Sequence, residues 1–295
     1  SPKGTFTIDL GLCASAFWAR SDVRFVRDDA SRRRPFEQKE SFAYEQVMRC
    51  TEGLLERHAP DTRPWFQVDR GGDIAELLLA SLHAERWITV RGSYDRKVLA
   101  GEARLLGELC ARTPVAFEAT LPLRARDGRA ARTARVQVSF RPVTLWLTER
   151  ASQHQWSASV WTVWVRERNA PAGAEPIEWT LHTSYPVEDE RDAYEVVWGY
   201  CQRWRIEEFH RAWKSGACQV ERSQLRSPHA LWKWASLMSA EATRVMRMRD
   251  LSRSQPDAPA TDMFSEAEIE AIVNNEDAPS FENTIVAMGG QAIAR

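Results

Sequence analysis

From about Pro114 to Val187 apolar residues recur at every second position: Val136, Val138 and Phe140, then Val143, Leu145 and Leu147, then Trp161, Val163 and Val165. That period places alternate side chains on one face of a sheet, so the stretch predicts a β-rich module. Asp127-Gly128 is a hairpin-type dipeptide, which favours antiparallel pairing. The residues before the module follow another pattern. Ser41 to His58 reads as a helix, with Tyr44, Val47, Met48 and Leu55 at helical spacing. Trp65 to Asp69 reads as a buried strand ending on an acid. Gly71-Gly72 then turns into a helix with Asp73 as N-cap and Ile74, Leu77, Leu78 and Leu82 inward. Trp87 to Val90 completes a strand, helix, strand unit with parallel strands. Thr5 to Val26 alternates as well and suggests two or three short strands. After Pro186 helices dominate. Ser227 to Leu251 is amphipathic through Leu231, Trp234, Met238, Val245 and Met248, the linker Ser254 to Ala260 follows, and Ser265 with Glu268 makes a capping-box spacing. The fold class is therefore α/β: a sheet with helices, interrupted by an inserted antiparallel β module and followed by a helical C-terminal region.

A chain of 295 residues, 43% hydrophobic, suffices for one substantial core and a smaller attached module. The longest apolar run, around Ile74 to Leu82, is too short to span a bilayer, and no membrane partner or secretory signal is expected. Cysteines 13, 50, 110, 201 and 218 form no C-x-x-C pair, which favours reduced thiols in a cytoplasmic protein and argues against a structural zinc site. The net charge of −1 argues against a protein that coats nucleic acid nonspecifically. Local basic clusters matter more: Arg32 to Arg34, Arg124 to Arg135, and Arg203 to Arg226 with Lys214. Each taken singly reads as a solvated face, but the third coincides with an ordered helical pattern.

That pattern is Tyr200 to Lys214, YCQRWRIEEFHRAWK. Read as one helix at about 100° per residue, it puts Tyr200, Arg203, Glu207, Arg211 and Lys214 on one narrow face, and Ile206, Phe209 and Trp213 on an apolar back. A surface helix with favourable i,i+4 pairs explains the arrangement as well as a functional site does. A functional site gains something more specific, because a carboxylate holding a divalent metal beside a DNA phosphate benefits from cations that neutralise neighbouring phosphates.

The order Tyr200, Arg203, Glu207, Lys214 resembles the Y-R-E-K signature of bacterial insertion-sequence transposases of the IS-four-like superfamily, within a longer similarity YxxRWRIEEFHxAWKxGA. The segment VDRGGDI, Val68 to Ile74, is similar to that family's C-D-R-E-A-D-I, and PIEWTLHTSYPV, Pro176 to Val187, resembles the segment preceding the signature helix. The resemblance implies an RNase H-like mixed sheet and a DDE active site in which Asp69 and Glu207 are the second and last acids and hold two Mg2+ or Mn2+ ions. It implies that Tyr200, Arg203, Arg211 and Lys214 contact DNA phosphates and that Trp179 receives a flipped base when a transposon end forms a hairpin. A strand tryptophan is more commonly core, and 13 tryptophans are present. The partners implied are double-stranded DNA, both transposon ends and target, and a second copy of the chain in a synaptic homodimer. Action on DNA would place the protein in the bacterial cytoplasm, at the nucleoid.

The family's first acid lies in a D-T-T-like context, and nothing here reads that way. Leu10 to Ser21 resembles the family's third strand, so the first is expected before Ser1, with Asp9 a weak substitute. The end-recognition domain is expected to be missing too, and IVAMGGQAIAR resembles the start of a dimerisation region that stops early. The expected organisation is 1–110 as the first part of an RNase H-like core, 111–187 as the β-rich insertion, 188–226 as the second part with the signature helix, and 227–295 as the helical C-terminal region. Three functions stay open: a cut-and-paste transposase performing strand cleavage, hairpin formation and strand transfer, a decayed or truncated DNA-binding relative lacking the first acid, and a related nuclease or recombinase that only hydrolyses.

Overall fold

The computed structural model describes residues 12–16, 33–100, 103–123 and 130–274. Asp9, most of Thr5 to Val26, Arg32, Asp127-Gly128 and the segment from Ile285 lie outside the described residues. Residues 33–203 and 204–274 fall in two compact units.

The first unit is built on a mostly antiparallel eight-stranded sheet with helices, a mixed α/β arrangement. Helix α1, Phe42–His58, precedes β1, Trp65–Val68. Helix α2, Ala75–His83, then leads to β2, Trp87–Arg91. Strands β1 and β2 pair in parallel, Phe66 opposite Ile88 and Val68 opposite Val90, as the strand, helix, strand pattern predicts. Leu77, Leu78, Ile88 and Val90 are essentially inaccessible. They share a core with Met48 of α1.

Strands β3, Lys97–Ala100, and β4, Ala103–Leu105, with the short α3, Leu106–Arg112, lead into the region of period two. There β5 is Phe117–Leu123, β6 Arg132–Thr148, β7 Gln155–Glu167 and β8 Glu178–Thr183. Strands β6 and β7 pair antiparallel along their length, with Val138 opposite Val165 and Leu145 opposite Ala158. Val136, Val138 and Val163 are buried in one core and Leu145 and Leu147, of the opposite parity on β6, in another, so the alternation marks an inward face on each side of the sheet. These strands do not form a separate layer. Strand β8 hydrogen-bonds β7 on one side and β2 on the other, making one sheet in the order β1-β2-β8-β7-β6-β3-β4, with β5 also on β6. Helix α4, Glu190–Gln202, starts at Asp189, whose side chain accepts the Asp192 N–H, and buries Ala193, Val196 and Val197.

Helix α1 is fixed by charge as much as by apolar contact. Only Met48 and Glu45 are buried on it. Arg86, at the entrance to β2, donates to Glu45 at 2.6 Å and to both oxygens of Glu52 at 2.6 and 2.9 Å. Burial alone would push the Glu45 carboxyl up, but the Arg86 and Arg49 guanidiniums hold it below the ordinary carboxylate range.

In the second unit α5, Arg205–Lys214, packs on α6, Pro228–Ser254. Of the expected inward set on α6, Trp234 and Met238 pack part-buried against the core, Leu231 is corrected to exposed, and the fully buried stripe is Ala235, Ser239, Ala242 and Met246. The Trp213 indole N–H donates to the Ala235 carbonyl at 2.9 Å. Arg249 pairs with Glu208 at 2.6 Å, and Arg205 with Asp250. Helix α7, Glu266–Val273, begins with the expected Ser265 and Glu268 capping box. No helix among the described residues is long and apolar enough to cross a membrane.

With the side chains of Arg86 and Glu45 only 6% and 2% exposed, Arg86→Ala leaves a buried carboxylate with the exposed Arg49 as its remaining guanidinium partner. Urea unfolding should show a loss of about 3–5 kcal/mol. A loss below about 1 kcal/mol, the scale of a surface pair, would contradict the buried clamp.

Candidate active site

Strand β1 ends at Val68, and the chain turns at once through Arg70–Gly72 in a single 3-10 turn. Asp69 opens that turn, its Oδ1 accepting the Gly71 N–H at 2.9 Å. The turn needs glycine: a Cβ on Gly72 would collide with the Val68 side chain, and one on Gly71 would sit 2.9 Å from the Tyr44 hydroxyl oxygen. Asp69 is half-buried at the carboxyl end of a parallel strand, the rim where α/β folds place ligands.

Tyr44 of α1 donates to the same Asp69 Oδ1 at 3.3 Å, while Oδ2 accepts no hydrogen bond among the described residues. Burial, reinforced by the charge and hydrogen bond of Asp69, pushes the Tyr44 hydroxyl up to about 12, with Arg203 pulling the other way. Tyr44 therefore stays protonated and a donor at neutral pH.

Asp73 is not the helix cap expected from its position, since Ile74 occupies that place and no side chain caps α2. Its carboxylate instead accepts the Ser93 N–H at 2.6 Å and Arg96 Nε and Nη2 at 3.1 and 2.5 Å. Ser93 Oγ also donates to the Arg70 carbonyl at 3.0 Å. The loops after β1 and β2 are thus laced together, which makes the rim stiff. The pull of this local network on Asp73, from residues about 20 positions later, has no sequence signal.

Trp179 lies at the start of β8, which runs antiparallel to β2, so it shares the rim. It is half-buried, its ring edge-on to Tyr200 at 5.2 Å and its face 5.8 Å from the Arg91 guanidinium carbon. Tyr200, 5% exposed, belongs to the core under β8, and Arg203 sits 5.8 Å from its ring centroid. The rim of this unit therefore gathers Asp69, Tyr44, Trp179, Tyr200 and Arg203.

The expectation of one unbroken helix from Tyr200 to Lys214 is overturned. Helix α4 ends at Gln202 and α5 begins at Arg205. Between them Arg203 N–H bonds the Tyr200 carbonyl at 3.1 Å and Glu207 N–H bonds the Trp204 carbonyl at 3.0 Å. These spans of three residues tighten the turn, and a single wheel no longer applies. Ile206 is corrected too: it is 43% exposed, whereas Phe209 and Trp213 stack at 6.2 Å within the core of their unit. Within α5, Glu207, Arg211 and Lys214 still share a face about 60° wide. Glu207 is half-buried in the first turn, and Arg211 and Lys214 are exposed in the last, signs that suit the helix dipole.

A divalent cation of the hard type asks for carboxylate oxygens. Asp69 fits that demand through its unbonded Oδ2, and Glu207 has the same chemistry. No group of three or more His, Cys, Asp or Glu stands ready to hold a metal among the described residues.

Residues 122–240 match the family model described as Transposase DDE domain. The match supports a DDE transposase, a class whose members generally use divalent metal ions and act on DNA. The matched stretch takes in Trp179, Tyr200, Arg203, Glu207, Arg211 and Lys214 and leaves Asp69 outside it.

The two acids of the turn should separate experimentally. Asp73→Ala uncovers a buried Arg96 and should cost about 3 kcal/mol or more in unfolding free energy. Asp69→Asn keeps an acceptor for Gly71 and should change stability by less than about 1 kcal/mol. Equal losses in urea titrations would argue against a merely structural Asp73 and a functional Asp69.

Proposed function

We propose that this chain is the catalytic region of an IS-four-like, Y-R-E-K-bearing DNA transposase that cleaves transposon ends, forms a hairpin intermediate and transfers strands to target DNA. The observation that carries the reading is Asp69: a half-buried carboxylate on the strand rim, with one oxygen tied down and the other accepting no hydrogen bond among the described residues. The family match supports the class. The four-part division at 110, 187 and 226, with an inserted β module, belongs to the same proposal, as do action as a homodimer and a cytoplasmic, nucleoid-associated location.

In this reading Asp69 and Glu207 supply carboxylate ligands for two Mg2+ or Mn2+ ions. When bound, such ions supply Lewis acidity at the attacking and leaving oxygens of a phosphodiester. The remaining roles fall to the chain. Arg211 and Lys214 are exposed cations at the end of α5, suited to phosphates flanking the scissile bond. Arg203, beside the Tyr200 ring, serves the same end. Tyr200, which lies in the core, backs Trp179, and the half-buried indole offers a stacking face for an extruded base.

The test uses a duplex carrying the terminal sequences that flank the encoding gene. Asp69→Asn and Glu207→Gln should each lower cleavage and strand transfer by roughly 10³-fold or more, equivalent to about 4 kcal/mol of transition-state stabilisation, while the duplex is still bound. Wild-type cleavage by either variant overturns the assignment. Lys214→Ala should reduce the slope of log Kobs against log salt by about 0.9, the value for one lost phosphate contact; an unchanged slope removes Lys214 from the DNA-binding set.

A further inference from the structure

We propose that Tyr44 is a positioning residue for Asp69, holding one carboxylate oxygen so that the other is presented to a divalent cation. The inference rests on the reading of Asp69 as a metal ligand. A free aspartate rotates about two side-chain bonds, and each must be frozen when it binds a metal. Here both donors converge on Oδ1, the Gly71 N–H from within the turn and the Tyr44 hydroxyl from α1. The Gly71 bond alone closes the turn, so the tyrosine is an addition that the turn does not need. Its carrier is rigid, because α1 is held through Glu45, the residue after Tyr44, by the buried Arg86. Gly71 makes the meeting possible, since a Cβ there would lie 2.9 Å from the Tyr44 oxygen and 3.0 Å from Asp69 Oδ1. Loss of a partner that orients a metal ligand typically lowers metal affinity about 10–100-fold.

The experiment titrates the full chain with Mn2+, reading free Mn2+ by electron paramagnetic resonance, and measures cleavage of the same end duplex. Tyr44→Phe keeps the ring and should leave thermal melting unchanged, yet weaken Mn2+ binding by about tenfold or more. Its kcat should be low at limiting Mn2+ and recover as Mn2+ is raised, with KM for DNA unchanged, a pattern that a merely structural tyrosine would not give. Gly71→Ala, which pushes hydroxyl and carboxylate apart without altering α1, should show the same weakening and decides the matter if Tyr44→Phe melts early. Tyr44→Phe and Gly71→Ala that bind Mn2+ as the wild type does, while Asp69→Asn has lost it, would overturn the role of Tyr44 and spare that of Asp69. Asp69→Asn that keeps full Mn2+ affinity would overturn both.

Discussion

The rim of the first unit depends on a guanidinium taken out of water. Arg86 is 7% exposed at the entrance to β2, and its three bonds reach two glutamates about two helical turns apart on α1. Desolvating such a group is costly unless geometry and hydrogen bonding are both good. Arginine meets the demand because its planar fork grips Glu52 through Nε and Nη2 while Nη1 takes Glu45, which a lysine ammonium cannot reproduce. On α1 Met48 is the one fully buried apolar residue, with Tyr44 packed part-buried against the same core, so the polar clamp shares in setting the angle from which Tyr44 reaches Asp69.

Local pattern reveals those parts of this molecule whose cause is local. Strand β1, the turn after it and strand β2 follow from short-range hydrophobicity and paired glycines, and Asp69 falls on the rim because a strand must end somewhere its acid can be solvated. The alternation across β6 and β7 is legible for the same reason, since period two is a property of the strand itself. The capping box before α7 involves residues three apart. Long-range pairing is different. That β8 closes against β2, bringing Trp179 beside Arg91, is decided by hydrogen bonds between segments about 90 residues apart. Neither Tyr44 nor the burial of Asp73 on Arg96 has a sequence signal for that reason, and each is a short polar contact made after the elements have been brought together.

The C-terminal helices show how a periodic reading misses by a small angle. On α6 the large Trp234 and Met238 do pack part-buried against the core, but the fully buried stripe beside them is Ala235, Ser239, Ala242 and Met246. Apolar size indicates where water is excluded on average, whereas the closest approach between two helices selects for small residues, so the indole of Trp213 can reach a backbone carbonyl. Packing distance outweighs hydrophobic area along that contact line.

The same consideration bears on the signature stretch. Tyr200 and Arg203 need only the last turn of α4 to be neighbours, and their contact is made there. Glu207, Arg211 and Lys214 need only α5, at spacings of four and three. A single wheel groups all five only when the stretch is drawn as one unbroken helix, and the turn at Arg203 and Trp204 divides it in two. The spacing from tyrosine to lysine is therefore two local requirements joined at Arg203 and Trp204. Its first half serves a buried ring that supports Trp179, and its second presents exposed cations around a carboxylate. A wheel treats all five as one exposed stripe, and burial is what separates Tyr200 from the rest.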